Sequence, residues 1–329
     1  MNTIIYPPKL KKWSHIRVIA PVRSLKLIWD INKDLSIKAL EDFWFKVSFW
    51  KNVYECDEFN SSSIQSRIQD LHEAFLDKSV DAIFTVIWGY NSNQLLKYID
   101  YDIIKNNPKI LCWFSDVTAL SIAIFAKTGL VWYSWPHFSS WGMQKWFEYT
   151  KEYFEKCCMQ DGEYNINPSA DWSDDLWFID QDNRDFIQND WYWIINEWRA
   201  SWTLLWWHIP CIESLNWTEF FPTINNNIVL FIETDADFSN ELFDRNLQSL
   251  IHQPFFHFVK WIVIGRFQKN NNMTKELLQK IISSKNELKN IPVIWNVDFG
   301  HTTPFFTFPI GWKWIIDTTK QHIINILEH

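Results

Sequence analysis

The sequence predicts an α/β protein: an N-terminal domain built on a parallel, Rossmann-like sheet, followed by a C-terminal mixed α/β domain. Three observations carry this. In the first half, short apolar runs alternate with stretches of helical periodicity, the pattern of parallel strands joined by helices. In the second half strands and helices recur in less regular order. The length, 329 residues, suits about two domains of ordinary size.

Taken in order, residues 16–21 read as the first strand and 37–43 as part of a helix. A second helix is expected over 63–76, with Ile64, Ile68, Leu71 and Phe75 on one face. Strand 82–87, helix 92–99, strand 109–114, helix 117–127 and strand 130–133 follow. Ligands of such sheets bind at the carboxyl ends of the strands. Residues 161–190 are polar and acidic and read as a long connection, a kind of segment that is usually functional or mobile. Beyond it, strands are expected near 228–232, 261–267 and 293–297, with helices over 240–252 and 275–288. The expected division is an N-terminal domain over 1–155, a connecting loop over 156–190 and a C-terminal domain over 191–329.

A net charge of −8 with no basic stripe argues against a nucleic-acid polymer as partner. No run of 18 apolar residues and no apolar segment after the N-terminal lysines is present, so the expectation is a cytoplasmic protein with no membrane partner. The five cysteines, Cys56, Cys112, Cys157, Cys158 and Cys211, form no C-x-x-C pair, and are expected to be reduced and structural.

The composition is anomalous in one respect. There are 23 Trp and 7 Gly, whereas average usage of about 7% glycine would give about 23 glycines. Many of the Trp stand in turn contexts, as in Trp88-Gly89, Trp206-Trp207, Gly311-Trp312 and Trp135-Pro136. Glycine supplies positive φ or close backbone approach in such places, and tryptophan does neither. The expectation is that one codon, UGA being the natural suspect, is read as glycine by the source and is written here as Trp. The opposing reading is a genuinely Trp-rich binder of carbohydrate or membrane.

Chemistry begins at Cys112-Trp113-Phe114-Ser115-Asp116-Val117-Thr118. A strand runs straight into a helix, leaving Ser115 at the turn. A small residue at 113 would permit the sharp turn that exposes a nucleophilic hydroxyl, and the N–H groups from Asp116 onward would face a developing oxyanion. Ser115 could equally be an ordinary N-cap. A serine nucleophile needs a base, and the base an orienting acid. Among nine histidines, His301 follows a strand and Gly300; His252, His257, His322 and His329 lie in helical or terminal contexts. Glu233 ends the apolar run 228–232, either as a strand terminus meeting water or as the orienter.

The segments 88–94 (Trp-Gly-Tyr-Asn-Ser-Asn-Gln), 113–120, 134–140 and 296–304 resemble the LD-carboxypeptidase family of serine peptidases, most of all its microcin C immunity-like branch. The resemblance runs from about 16 to 311, and the family has Gly where this chain has Trp88, Trp113, Trp135, Trp202, Trp206, Trp207, Trp217 and Trp261. Trp172, Trp177 and Trp193 stand where related sequences tend to keep Trp. The resemblance implies a triad of Ser115 as nucleophile, His301 as base and acid, and Glu233 as orienter, with an oxyanion hole from Asp116 and the Trp88-Gly89 turn. It implies no metal and no cofactor, a homodimer, and a small peptide or peptidyl-nucleotide substrate whose amide bond at the carboxyl end is cut. Trp177 would stack on a leaving nucleotide base; His208 departs from the family's usual Asn and bears on leaving-group preference. Release of terminal D-Ala from a murein tetrapeptide is the alternative substrate. A non-catalytic nucleotide-binding module is the alternative class, although no G-x-G-x-x-G follows the first strand.

Overall fold

A computed structural model describes residues 3–196, 199–318 and 323–327, with the side chains of 199–201, 206 and 207 left undescribed. Two sheets organise it. The first runs in the order Phe308–Ile310, Trp132–Ser134, Ile110–Trp113, Ala82–Thr85, His15–Ile19, Lys46–Phe49. Its strands are parallel except Phe308–Ile310, which returns from near the end of the chain to pair antiparallel with Trp132–Ser134. The central strands Ala82–Thr85 and Ile110–Trp113 are predominantly apolar and buried along their whole length, as a parallel sheet covered by helices requires.

The second sheet has eight strands, in the order Tyr164–Ile166, Ile324–Ile326, Lys313–Asp317, Arg199–His208, Ile228–Glu233, Val259–Gly265, Val293–Val297, Trp193–Ile195. Its centre, from Arg199–His208 to Val293–Val297, is parallel and its flanks antiparallel. The α/β class and the parallel first sheet stand as the sequence predicts.

Helices appear where the apolar stripe is clear. Ile64–Leu76 starts at Ser63, whose side chain accepts from the Ser66 N–H, and it buries Leu71, Ala74 and Phe75. Asn240–Ile251 and Lys275–Ser283 are capped in the same way by Ser239 and Thr274. Three expectations need correction. The helix expected over 92–99 is a short 3-10 turn, Ser92–Leu95, because Ser92 is committed to Asp116 through its N–H and hydroxyl. The helix expected over 275–288 stops at Ser283 and resumes only as a 3-10 turn, Asn286–Leu288. Trp206 and Trp207 lie in no turn: their backbones are paired with Phe231 and Ile232 inside the strand Arg199–His208. The polar connection carries structure of its own, a small antiparallel pair of Asp171–Trp172 with Ile187–Gln188. Among the described residues, no helix is long and apolar enough to cross a membrane.

Candidate active site

Ser115 follows the strand Ile110–Trp113 by one extended residue and opens the 3-10 turn Ser115–Val117, which runs into the helix Thr118–Thr128. Its backbone is left-handed, with φ 61°. That is the backbone of a sharp strand-to-helix turn rather than the extended backbone of an ordinary N-cap. The turn is braced from the next strand's loop, where the Ser92 N–H donates to Asp116 Oδ2 at 2.9 Å and the Ser92 hydroxyl to the Asp116 carbonyl at 2.7 Å. Burial pushes the Asp116 carboxyl up, against the pull of the Ser92 hydrogen bonds.

Two further strand ends converge on the serine. Glu233 closes Ile228–Glu233, and His301 lies in the loop after Val293–Val297, just past Gly300 at φ 111°. His301 Nδ1 lies 2.8 Å from Glu233 Oε2, and His301 Nε2 lies 3.1 Å from Ser115 Oγ. A carboxylate can only accept, so Nδ1 carries the proton and Nε2 is left to accept from the serine hydroxyl. Burial works against charge on His301, but the Glu233 carboxylate, by its charge and its hydrogen bond, and then Asp235 raise its pKa above the ordinary histidine value. Phe114 meets the His301 ring edge-on at 5.6 Å and stacks on His137 at 4.7 Å. Burial takes the His137 pKa down to about 3, so that ring stays neutral.

Phe114, Ser115, Asp116, His137 and His301 line one cavity of about 560 Å³, together with Trp88, Gly89, Trp177 and His208, while Glu233 lies buried behind His301. The Gly89 backbone approaches so closely that a Cβ there would lie 2.6 Å from Val22 Cβ. Trp88 lays its indole 4.2 Å from the Arg23 guanidinium. Trp177 is carried by the connection, which is pinned to the loop that carries His301 by paired backbone hydrogen bonds of 2.8 Å between Ser173 and Thr303. His208 pairs in register with Glu233 and sits 5.3 Å, ring to ring, from His301. Its Nε2 lies 3.3 Å from Asp235 Oδ2, close as an ion pair but not aligned as a hydrogen bond, and its Nδ1 lies 3.1 Å from Cys211 Sγ. Ligand atoms of His208, Glu233 and His301 fall within 4.8 Å of one another, so a cation there would compete with the His301–Glu233 proton. His252 and His257 lie away from the cavity's lining, and His322 and His329 lie outside the described residues.

Residues 16–134 match the LD-carboxypeptidase N-terminal domain and residues 209–316 its C-terminal domain. The chain belongs to the LD-carboxypeptidase family. It is a serine-type carboxypeptidase, a hydrolase. Bacillus subtilis YocD, which bears a carboxypeptidase name, is 48% identical over 307 residues, 93% of this chain and 94% of that protein. A solved MccF-like protein of Bacillus anthracis superposes with a TM-score of 0.96 at 48% identity, over 99% of this chain and 100% of that one. The microcin C7 self-immunity protein MccF of Escherichia coli is 28% identical over 301 residues, 87% of this chain and 86% of that protein. Solved in complex with aspartyl sulfamoyl adenosine, MccF has a TM-score of 0.90 over 99% of each chain.

The LD-carboxypeptidase cavity also contains groups that sequence reasoning passed over. Asp235 lies two residues beyond Glu233 and 3.3 Å from His208; Cys211 was expected to be merely structural, yet faces the cavity. The signal for Asp235 was available, since a strand end that carries one site carboxylate puts the next residues in the same opening. Nothing in the spacing marked Arg23.

Proposed function

We propose that Ser115, His301 and Glu233 act as a catalytic triad, and that this carboxypeptidase cuts the amide bond at the carboxyl end of a small peptide or peptidyl-nucleotide. The observation that carries the reading is the continuous chain Ser115 Oγ, His301 Nε2, His301 Nδ1, Glu233 Oε2, with links of 3.1 and 2.8 Å. Ser115 Oγ attacks the carbonyl carbon while its proton passes to His301 Nε2; the imidazolium is stabilised by Glu233. The oxyanion is received by the Asp116 N–H and the backbone of the 88–89 turn. Collapse returns the proton to the leaving nitrogen and leaves an acyl-serine, which water then hydrolyses with His301 again as base.

Trp177 supports a leaving group with an aromatic base, for base stacking on an indole is worth about 1–3 kcal/mol. The relative bound to aspartyl sulfamoyl adenosine supports the same substrate class. The second reading is release of D-Ala from a murein tetrapeptide, the family's namesake activity. A non-catalytic nucleotide-binding module has less support, since it leaves the aligned histidine and serine without a role. A homodimer and a cytoplasmic setting complete the proposal.

Turnover of an aspartyl-adenylate phosphoramidate and of L,D-tetrapeptide, each measured with the parent enzyme and with Ser115→Ala, tests this. Cleavage of the nucleotide conjugate is expected, with a loss of about 10⁴-fold or more in kcat for the variant. Unchanged turnover in Ser115→Ala would reject the triad, and release of D-Ala alone would move the substrate to the second reading.

A further inference from the structure

We infer that tryptophans at turn positions of this chain, Trp13, Trp44, Trp135, Trp146, Trp191 and Trp217, are glycines in the working protein. Among the described residues, eleven other than glycine have positive φ; four are Asn, one is Ser115, and six are these Trp. Asparagine tolerates the left-handed region, and a nucleophile turn explains the serine, but a bulky side chain there is a genuine outlier. The local hydrogen bonds name the residue required. The helix Asp30–Asp42 ends with the Trp44 N–H on the Glu41 carbonyl and the Phe45 N–H on the Leu40 carbonyl, at 2.9 and 3.0 Å. This is a Schellman motif with Trp44, at φ 70°, in the place that glycine normally takes.

Trp13, at φ 73°, is the third residue of a turn closed by the Ser14 N–H on the Lys11 carbonyl, and Trp217, at φ 67°, holds the same place between Leu215 and Thr218. Packing does not compensate: Trp13 is 60% exposed and Trp217 88%. The opposite holds for Trp172, Trp177 and Trp193, which the family resemblance marks as authentic tryptophans. Trp172 faces Arg266 at 5.2 Å, Trp193 packs edge-on against Trp295 at 4.4 Å, and neither they nor Trp177 are left-handed.

Peptide mass mapping of the protein isolated from its native source tests this directly. Glycine at 13, 44 and 217 with tryptophan at 172 and 177 is expected; tryptophan at the first three overturns the inference. Independently, the chain as written and a chain with glycine at all six positions are compared by thermal unfolding. The glycine chain is expected to melt at least about 10 °C higher, or to be recovered soluble where the other is not; equal or lower stability overturns the inference.

A second inference stands on the charges of the cavity and rests on the proposed hydrolysis there. Five carboxylates line the wall, Asp116, Asp174, Asp175, Asp235 and Asp237, against one Lys or Arg among the described residues, Arg23. Arg23 Nε is buried with no hydrogen-bond partner, and its guanidinium is covered by Trp88. The geometry points to Arg23 as the receptor for a carboxylate of the substrate, a role that a glycine at 88 would uncover. The test is calorimetric binding to Ser115→Ala, with and without Arg23→Gln, of aspartyl sulfamoyl adenosine and its asparaginyl counterpart. A loss of at least about 10-fold confined to the aspartyl ligand is expected. Equal loss for both ligands, or none, overturns this inference alone; binding of neither ligand to Ser115→Ala overturns the substrate reading and this inference with it.

Discussion

Ser115 is held at φ 61° between a strand and a helix, and a backbone held there costs on the order of 1–3 kcal/mol that the surrounding structure must offset. The return is an Oγ already aimed at His301 Nε2. The proton balance of that histidine then sets the pH dependence. In the proposed triad its neutral form is the base, and Glu233 with Asp235 raises its pKa, so the acid limb of kcat/KM should lie above the ordinary histidine value of about 6.5. In Glu233→Gln the raising charge is gone and burial lowers the pKa, so the limb should move to lower pH while kcat falls about 10³- to 10⁴-fold. A pH–rate profile that does not move would mean that Glu233 does not orient the base.

At the scale of elements, each component of the site is a strand end followed by a tight turn, and turn chemistry decides how well the ends hold. Six left-handed tryptophans at roughly 1–2 kcal/mol each amount to as much as a whole domain's net stability of about 5–15 kcal/mol. Trp44→Gly alone should therefore stabilise the chain by about 1–2 kcal/mol in denaturant unfolding. The loop that carries His301 is anchored by Asp298, which lies 2.8 Å from Arg266 Nη1 and accepts from both the Ser169 N–H and its hydroxyl, all of it buried. Arg266→Met would strand that carboxylate and should cost about 3–5 kcal/mol, seen as a lower denaturant midpoint.

Across the whole molecule, buried charge also ties stability to pH. Asp70, on the helix Ile64–Leu76 and accepting from Asn52 Nδ2 at 2.7 Å, is pushed by burial from 3.8 to about 7. Between those values the unfolded chain loses a proton that the folded one keeps, so stability should fall as pH rises from 4 to 7. Asp70→Asn should flatten that fall in thermal melts taken across the range. The sequence made the first sheet legible because its strands are short apolar runs between periodic helices, and it marked Ser115, Glu233 and His301 because each ends such a run. It could not show that they meet, nor that the strand Phe308–Ile310 joins the first sheet, since both facts depend on register between distant segments. The same distance has a consequence in time. Ser115 and His301 are 186 residues apart, and contacts so remote in sequence form late, after the loop between them has been closed. While the chain is being made, the serine is present long before its base exists. With the proposed triad, hydrolysis can therefore begin only once synthesis has passed His301, the last of its three members along the chain.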